Sequence, residues 1–323
     1  MKNPYMIRMN VIEDCIDYTN VGGLAHYDFY HPVEGIQKDE MDCMHFSVPE
    51  TKDVGYHEHS WGCETFFISQ GRMECCVLGR RFYMCPGDLL HIQPYMGHSF
   101  KPAAPDTKLN ILFQTMDMAN TTASRLFMQQ NFPGVFESPE TQKVLDVHYG
   151  RIPRTFPAGG YVPEEEVREL RRDGEGLITH TCDLTTLQLK VGRWETHGEK
   201  EIWALCMKKG AYAKWQKNRP EYHMFYVTGG KVAFNVWEAH DKTVEFTAES
   251  QSLIRIPPYR PFSFEALEDA RMYDLDCGAL LQDLLEEINT LKIQDPDKLS
   301  DSRFMKNLYE RFSFFYTDFN IIP

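Results

Sequence analysis

The chain has 323 residues, of which 42% are apolar and 25% are charged. This composition is typical of globular proteins, and the length is sufficient for two domains. The formal net charge is −13, and no cluster of lysine and arginine offsets it, so binding to nucleic acid or to an anionic membrane surface is not expected. No apolar run approaches the length that crosses a bilayer, so a transmembrane helix is not expected either.

The nine cysteines are odd in number and lack Cys-x-x-Cys spacing, which indicates reduced thiols rather than a disulfide framework. The N-terminus leads into acidic residues instead of an apolar leader, so we expect a cytoplasmic protein. Cys63 is of separate interest because it directly precedes Glu64, a candidate metal ligand. It is either a small buried residue or a thiol that contacts substrate or responds to oxidation.

The first informative strand of the sequence contains His57 and His59. Residues two apart in a strand point to the same side, so both imidazoles aim at one point. Glu64 begins the next predicted strand, an apolar run that ends at Gly71. Two neighbouring strands therefore supply two imidazoles and a carboxylate.

A third predicted strand adds one more histidine. The tripeptide Pro86-Gly-Asp indicates a turn, and residues 89–93 form the return strand. Residues 94–97 make a second tight connection that leads directly into His98. Three imidazoles and one carboxylate form a ligand set that suits a divalent transition metal.

The order and spacing of these residues resemble the two sequence motifs of cupins. His-x-His is followed after four residues by Glu and after six more by Gly, and then by Pro-Gly-Asp, Ile-x-Pro and a histidine. The resemblance implies a mainly all-β fold of double-stranded β-helix, or jelly-roll, barrels. It also implies one divalent transition metal per chain, with Fe(II) favoured and Mn, Ni, Zn or Cu as alternatives. The implied ligands are His57, His59, Glu64 and His98.

Strand parity gives candidates for a substrate pocket beside the metal. Alternate residues that share the face of Glu64 line the interior of the barrel, and a residue on the loop before Glu64 covers the entrance. The candidate pocket residues are Phe66, Ile68, Trp61, Met73 and Met84. For the two methionines the alternative is plain core packing.

His91 and Gln93 are the candidates for catalytic side chains. They share one side of the return strand, where they would carry protons or orient the metal ligands. The alternative is that both are ordinary polar residues of the surface or core. Tyr95 is a further candidate for the pocket entrance.

The middle of the chain predicts helices and a linker. Residues 117–132 have helical spacing, and the Pro-rich residues 152–163 are typical of a linker. Pro163 is expected to open a short acidic helix over residues 164–172, because proline favours a first helical turn. Residues 183–191 predict the first strand of a second barrel.

The second half of the chain repeats the first. Residues 66–71 match residues 225–230 at an offset of 159, and residues 89–94 match residues 253–258 at an offset of 164. A five-residue insertion near the hairpin at 236–250 explains the change of offset. Self-similarity of this period indicates a duplicated barrel, a bicupin.

The second copy lacks the ligand set. The residues at the positions of the four candidate ligands are Gln216, Asn218, His223 and Phe262. One imidazole and two amides do not hold a divalent metal tightly, so we expect the second barrel to be structural or to form a pocket. A rearranged site that combines His223 with Glu221 is the alternative.

The C-terminal tail predicts two amphipathic helices. The apolar stripes consist of Leu280, Leu281, Leu284, Leu285, Ile288 and Leu291, and then Phe304, Leu308, Phe312 and Phe315. They pack either on the chain's own barrels or, with residues 312–319 as anchors, on a second copy. The expected domains are an N-terminal barrel at 1–116, a helical and Pro-rich linker at 117–180, a degenerate barrel at 181–277 and C-terminal helices at 278–323.

The expected chemistry follows from the metal. Four protein ligands on an octahedral metal leave two positions for a substrate that binds through two oxygens. The leading hypothesis is a non-haem dioxygenase that acts on a small enol, phenol or diketone. The alternatives are a non-redox isomerase, decarboxylase or lyase, and a protein that binds or senses a small metabolite. The expected partners are an anionic or oxygen-chelating small molecule and a second copy of the chain in a homodimer.

Overall fold

The structure is a computed structural model. It describes residues 3–8, 17–21, 24–28, 44–47, 54–60, 62–105, 107–114, 127–148, 151–196, 198, 200–214, 223–239, 241–275 and 280–322. They divide into two compact units, Met9–Asp173 and Met1–Arg8 with Gly174–Pro323. The finer domain borders expected from the sequence stay predictions.

The strands account for most of the regular structure. The first thirteen are β1 Met6–Arg8, β2 Asp17–Val21, β3 Leu24–Asp28, β4 Met44–Ser47, β5 Val54–His59, β6 Glu64–Gln70, β7 Met73–Val77, β8 Arg80–Met84, β9 Leu89–Ile92, β10 His98–Pro102, β11 Lys108–Gln114, β12 Arg151–Pro153 and β13 Leu170–Arg171. The others are β14 Ile178–Thr181, β15 Thr185–Val191, β16 Ile202–Met207, β17 Tyr212–Lys214, β18 His223–Gly229, β19 Val232–Ala239, β20 Lys242–Ala248, β21 Ser252–Ile256, β22 Phe262–Ala266, β23 Ala270–Asp274 and β24 Asp318–Phe319.

Helices are few and short by comparison. The α-helices are α1 Pro133–Phe136, α2 Pro139–His148, α3 Leu281–Gln294 and α4 Ser302–Arg311, and residues 127–131 are also helical. Single 3-10 turns occur at Glu164–Glu166, Arg193–Glu195 and Pro296–Ser300. In the part of the chain that the structure describes, no helix combines the length and apolar character needed to span a membrane.

Each unit consists of two antiparallel sheets. The N-terminal unit has a five-stranded sheet in the order β12-β5-β10-β7-β8 and a seven-stranded sheet in the order β13-β9-β6-β11-β4-β3-β2. Alternate side chains of both sheets fill its core, as the period of two in a strand requires. Phe66, Met73, Phe82 and Leu90 are among these core residues.

The C-terminal unit repeats this arrangement strand for strand. Its sheets are β24-β17-β22-β19-β20 and β1-β21-β18-β23-β16-β15-β14. The β7–β8 hairpin spans 12 residues and the β19–β20 hairpin spans 17, so the five-residue insertion lies in this hairpin. The all-β, two-barrel fold class that the sequence predicts is confirmed.

The outermost strands come from distant parts of the chain. β13 pairs with β9 in the N-terminal unit, and β1 takes the corresponding place beside β21 in the C-terminal unit.

The prediction of an acidic helix at residues 164–172 is wrong beyond its first turn. The backbone of Glu169 and Leu170 bonds to strand β9 instead, and this long-range pairing outweighs the local preference for a helix.

The C-terminal helices pack on the core of their own unit. Leu284, Leu285 and Ile288 of α3 and Met305 and Leu308 of α4 are buried together with the inner residues of the barrel. This arrangement agrees with the first of the two sequence interpretations. Contact with a second copy through residues 312–319 stays a prediction.

Two glycines allow a direct test of how closely the chain packs at a turn. Gly71, between β6 and β7, has φ +79°, and a Cβ there would lie 2.6 Å from the Cα of Thr107. Gly174 has the same φ of +79°, but a Cβ there would meet no atom within 4 Å. The pair therefore separates backbone strain from steric overlap.

We expect Gly71→Ala to destabilise the protein by about 1–3 kcal/mol more than Gly174→Ala. Both variants pay for the left-handed backbone, but only Gly71→Ala must displace Thr107. Chemical unfolding of the two variants and the unmodified chain measures the difference. Equal losses of stability would contradict the close approach.

A buried carboxyl caps helix α3 from another element. Glu201 Oε2 accepts hydrogen bonds from Trp203 Nε1 at 2.7 Å and from the backbone N of Gln282 at 3.2 Å, while Leu280 at the N-cap offers no side-chain acceptor. Burial raises the pKa of Glu201 to about 7, although Trp203, the Gln282 amide and Arg193 act in the opposite direction. The native state therefore binds this proton more tightly than the unfolded chain.

We expect the free energy of unfolding to fall by up to about 3 kcal/mol as pH rises from the ordinary carboxyl range through 7, because ionisation of Glu201 is costly only in the folded state. Glu201→Gln keeps an acceptor oxygen and is expected to remove this contribution. Unfolding curves recorded across that range measure it. Glu245→Gln, at an exposed carboxylate, is the control and should leave the slope unchanged.

Candidate metal centre

The structure brings the four candidate ligands together in the N-terminal unit. His57 and His59 lie on β5, Glu64 is the first residue of β6, and His98 is the first residue of β10. All four are buried, and one ligand atom from each lies within 4.8 Å of the others. Among the described residues, no other group of three or more histidine, cysteine or acidic side chains converges in this way.

Strand pairing holds the two-histidine strand on both sides. His57 lies opposite His98 across the β5–β10 ladder. On its other edge β5 pairs with β12, which places Pro153 opposite His57 and Arg151 opposite His59. A segment far along the chain, expected to be only a linker, therefore fixes the strand that carries two of the four candidate ligands.

Backbone carbonyls orient two of the imidazoles. His57 Nδ1 donates to the carbonyl oxygen of Gly55 at 2.7 Å, and His98 Nδ1 donates to that of Met96 at 2.9 Å. With the proton on Nδ1, the Nε2 lone pair is available to a metal. In both cases the acceptor lies two residues earlier in the chain. Sequence reasoning missed these partners, because side-chain spacing carries no information about the direction of a backbone carbonyl.

Glu64 lies between two imidazole nitrogens. Its Oε2 is 3.3 Å from His59 Nε2 and 3.1 Å from His98 Nε2. Burial alone would raise the pKa of Glu64, but charge and hydrogen-bond interactions with His59 and His98 outweigh burial and hold this pKa well below the usual range. The carboxylate is therefore ionised and can serve as a ligand.

The donor set fits a divalent metal. Two ligand atoms bound at about 2.1 Å and at right angles are about 3.0 Å apart, close to the spacing of Glu64 Oε2 from the two imidazole nitrogens. The hydrogen bond that lowers the pKa of Glu64 needs a second proton, on His98 Nε2. A neutral His98, whose one proton is on Nδ1, instead turns its Nε2 lone pair toward the carboxylate oxygen. A cation between the two atoms converts this repulsion into attraction.

Apolar side chains form the wall next to the cluster. The ring of Phe66 lies 6.1 Å from that of His98 and 5.3 Å from that of Phe100, measured between centroids. Ile92 lies opposite Glu64 across the β6–β9 ladder and is buried. The charged centre therefore has an aromatic and aliphatic boundary on this side.

The other candidate pocket residues have different positions. Ile68, Met73 and Met84 are fully buried in the core of the unit, and Met73 lies opposite Met84 in the β7–β8 hairpin. Their role as pocket residues stays a prediction. Trp61 lies outside the described residues.

His91 does not face the cluster. In the β6–β9 ladder Ile92 lies opposite Glu64, and His91 lies opposite Thr65, so His91 is on the other side of the sheet. Its Nδ1 is hydrogen-bonded to Thr65 Oγ1 at 2.9 Å. The expectation that His91 would serve the metal ligands is thus wrong on strand parity, and Gln93 is exposed.

The backbone of Tyr95 is hydrogen-bonded to that of His59, a member of the cluster. Its amide donates to the carbonyl of His59 at 2.7 Å, its φ is 62° and its side chain is 64% exposed. Tyr259, at the matching position of the second unit, has the same φ of 62°. The left-handed conformation is therefore a property of the repeated turn. Cys63 is buried directly before Glu64, and the six described cysteines form no disulfide with one another.

The second unit fills the corresponding space with other contacts. His223, at the position of Glu64, hydrogen-bonds Asp274 Oδ1 through Nε2 at 3.0 Å. Its ring stacks on Phe225 at 4.4 Å and meets Phe262 edge-on at 5.0 Å. Gln216, Asn218 and Glu221 lie outside the described residues, so the absence of a metal site in this unit stays a prediction.

Comparison with known proteins identifies the fold. No protein-family model matches the chain, and no curated protein sequence matches it. Among solved structures, pumpkin seed globulin aligns with a TM-score of 0.52 at 9% identity, over 82% of this chain and 85% of that chain. The coconut allergen cocosin aligns with a TM-score of 0.50 at 10% identity, over 82% and 85%. Oxalate decarboxylase from Bacillus subtilis at pH 4.6 aligns with a TM-score of 0.50 at 12% identity, over 91% and 84%.

The chain has the two-barrel cupin fold. Identities this low establish the fold alone. Within this two-barrel fold the buried cluster of three histidines and one glutamate can bind a metal ion. The identity of the metal rests on chemistry rather than on the comparison.

We expect His98→Ala to weaken metal binding more than about 100-fold, because it removes a ligand rather than a group that orients one. His223→Ala in the second barrel is the matched control and should leave the metal content unchanged. Mass spectrometric metal analysis after dialysis measures both, and the unmodified chain is expected to hold one equivalent. Full metal content in His98→Ala would contradict the assignment.

Proposed function

We propose that this bicupin is a metal-dependent oxidoreductase, a non-haem dioxygenase that uses Fe(II) at the N-terminal centre. Its substrate is a small enol, phenol or diketone. The observation that carries the proposal is a converging cluster of three imidazoles and one carboxylate with an apolar, aromatic wall beside it. His57, His59, Glu64 and His98 would hold the metal.

The bound metal would supply a Lewis acid and an electron conduit between substrate and dioxygen. The chain's own contribution is charge and orientation. Glu64 is the one anionic ligand of the cluster, so a divalent cation there keeps a net positive charge. An anionic oxygen of the substrate is attracted to such a centre, and two adjacent oxygens fix the substrate's orientation.

The apolar side chains beside the centre favour a substrate with an apolar skeleton. Phe66 and Ile92 bury apolar surface beside the centre, and they offer no hydrogen bond to a polar group. Burial of a polar group without a partner costs about 1–3 kcal/mol in proteins, and an unpaired charge costs more. A substrate with two chelating oxygens on an aromatic or aliphatic skeleton satisfies both parts of the site.

A second candidate function is non-redox decarboxylation, isomerisation or lysis with the metal as Lewis acid. The fold shared with oxalate decarboxylase from Bacillus subtilis at pH 4.6 supports this candidate, since the same ligand types serve both chemistries. The two candidates differ in their need for dioxygen and for a redox-active metal. That difference decides the experiment.

The test uses the full chain loaded with Fe(II) and, separately, with Zn(II). Acetylacetone and catechol are the oxygen-chelating probes and oxalate is the non-redox probe. The dioxygenase predicts oxygen uptake that matches probe loss with Fe(II), and no reaction with Zn(II) or under nitrogen. His98→Ala treated in the same way is the control for unbound iron. Turnover that continues at the same rate under nitrogen would reject the dioxygenase in favour of the second candidate.

Phe66→Leu is expected to raise KM for an aromatic or diketone substrate about tenfold, because it removes the ring beside the centre while the ligands remain. Phe82→Leu is the matched control, since Phe82 is equally buried in the same core and belongs to none of the ring contacts around the cluster. Steady-state kinetics with both variants measures the effect. An equal change of KM in the two variants would show that Phe66 acts only through stability.

A further inference from the structure

The C-terminal unit contains a cavity that the proposed function does not use. It has a volume of about 420 Å³ and lies between helix α4 and the chain segment that follows it. Pockets for small molecules typically measure about 300–1,000 Å³. The cavity therefore has the size of a ligand site, and all of its lining residues belong to one compact unit.

One side of the cavity is a single face of α4. Ser302, Met305, Lys306 and Tyr309 line it, and their spacing of three, one and three residues places them on one face of a helix. Met305 is buried, whereas Ser302 and Lys306 are exposed. The face thus has an exposed polar edge, Ser302 and Lys306, beside a more buried row, Met305 and Tyr309.

Aromatic rings form the opposite side. After α4 the chain reverses at Ser313, which has φ 59°, and Phe314 N then donates to Tyr309 O at 2.8 Å. The ring of Phe319 meets those of Tyr309 and Phe314 edge-on at 5.0 Å and 5.1 Å. Rings that brace one another in this geometry form a wall that is ordered before a ligand arrives.

The charge at the rim indicates the sign of the ligand. Lys298 pairs with Asp295 at 2.9 Å, and Arg311 pairs with Glu287 at 3.3 Å. Lys306 has no ion pair or hydrogen bond with any residue of the described chain. Glu310, the other charged residue of the lining, follows Lys306 by one helical turn. Its negative charge disfavours an anionic group beside it. An anionic group is therefore favoured only at the end of the cavity where Ser302 and Lys306 lie.

We infer that this cavity binds a small planar aromatic carboxylate. The ring system packs between Met305 and the rings of Phe314 and Phe319, and the carboxylate lies at the rim beside Lys306. This site is separate from the proposed metal centre in its residues and in its chemistry. It needs no metal, because packing and one exposed cation supply the recognition.

The test is a calorimetric titration of the full, metal-loaded chain with naphthoate as the aromatic carboxylate and naphthylmethanol as its neutral analogue. Lys306→Met removes the charge and keeps the aliphatic stem. We expect it to weaken naphthoate binding about three- to fivefold, the upper part of the range for an exposed charge pair, without changing the binding of naphthylmethanol. Lys209→Met, at an exposed lysine outside the cavity, is the control.

Two further variants make the outcome decisive. Ser302→Trp blocks the rim and should abolish the binding of both probes when it is combined with His98→Ala, which removes naphthoate binding at the metal centre. A thermal unfolding curve verifies that the variant is folded. His98→Ala should leave naphthoate binding at this cavity unchanged, so failure of the metal proposal does not affect the result. The inference is overturned by an absence of saturable naphthoate binding at millimolar concentration. It is also overturned if Lys306→Met and Lys209→Met bind naphthoate equally well.

Discussion

The candidate metal centre of the N-terminal unit depends on one electrostatic interaction, between the Glu64 carboxylate and the neighbouring imidazoles. A carboxylate oxygen lies 3.1 Å and 3.3 Å from two imidazole nitrogens in a buried space. A neutral His98, whose Nδ1 proton is directed to the Met96 carbonyl, turns its Nε2 lone pair toward this anion, and a cation between the two atoms removes the repulsion. Ladder pairing of β5 with both β10 and β12 holds the side chains in place. The strand framework thus prepares the site before a metal arrives.

The duplicated unit shows that the barrel itself does not need this centre. In the C-terminal copy the same turns recur, with Gly230 in place of Gly71 at positive φ and Tyr259 in place of Tyr95. His223 there is satisfied by Asp274 and packed between the rings of Phe225 and Phe262. This barrel has a histidine hydrogen-bonded to an aspartate, among aromatic rings, where the first barrel has a glutamate. The cluster in the first barrel is therefore best explained by chemistry rather than by folding.

Local patterns in the sequence predict the convergence of the four candidate ligands, and they fail where pairing with another strand decides the conformation or the side that a residue faces. The spacing of His57, His59, Glu64 and His98 was sufficient to place their convergence, because neighbouring strands in the chain are neighbours in the sheets. The helix expected at residues 164–172 and the inward-facing His91 were wrong. β13 pairs with β9 across a long separation in sequence, and the register of β6 with β9 places His91 on the far side of the sheet. The residues of a single strand do not determine which residues of its partner strand they face.

The charges of the whole chain and of the centre act on a substrate at different ranges. A net charge of −13 repels anions over distances of about the Debye length, roughly 8–10 Å at physiological ionic strength. A metal-loaded cluster attracts an anionic oxygen only once the oxygen is close, inside the apolar wall. A protonated enol, phenol or diketone meets the weaker barrier on approach and becomes anionic where the positive charge is. A dianion meets the repulsion in full, so the charge of the chain favours a chelating substrate that is neutral on approach.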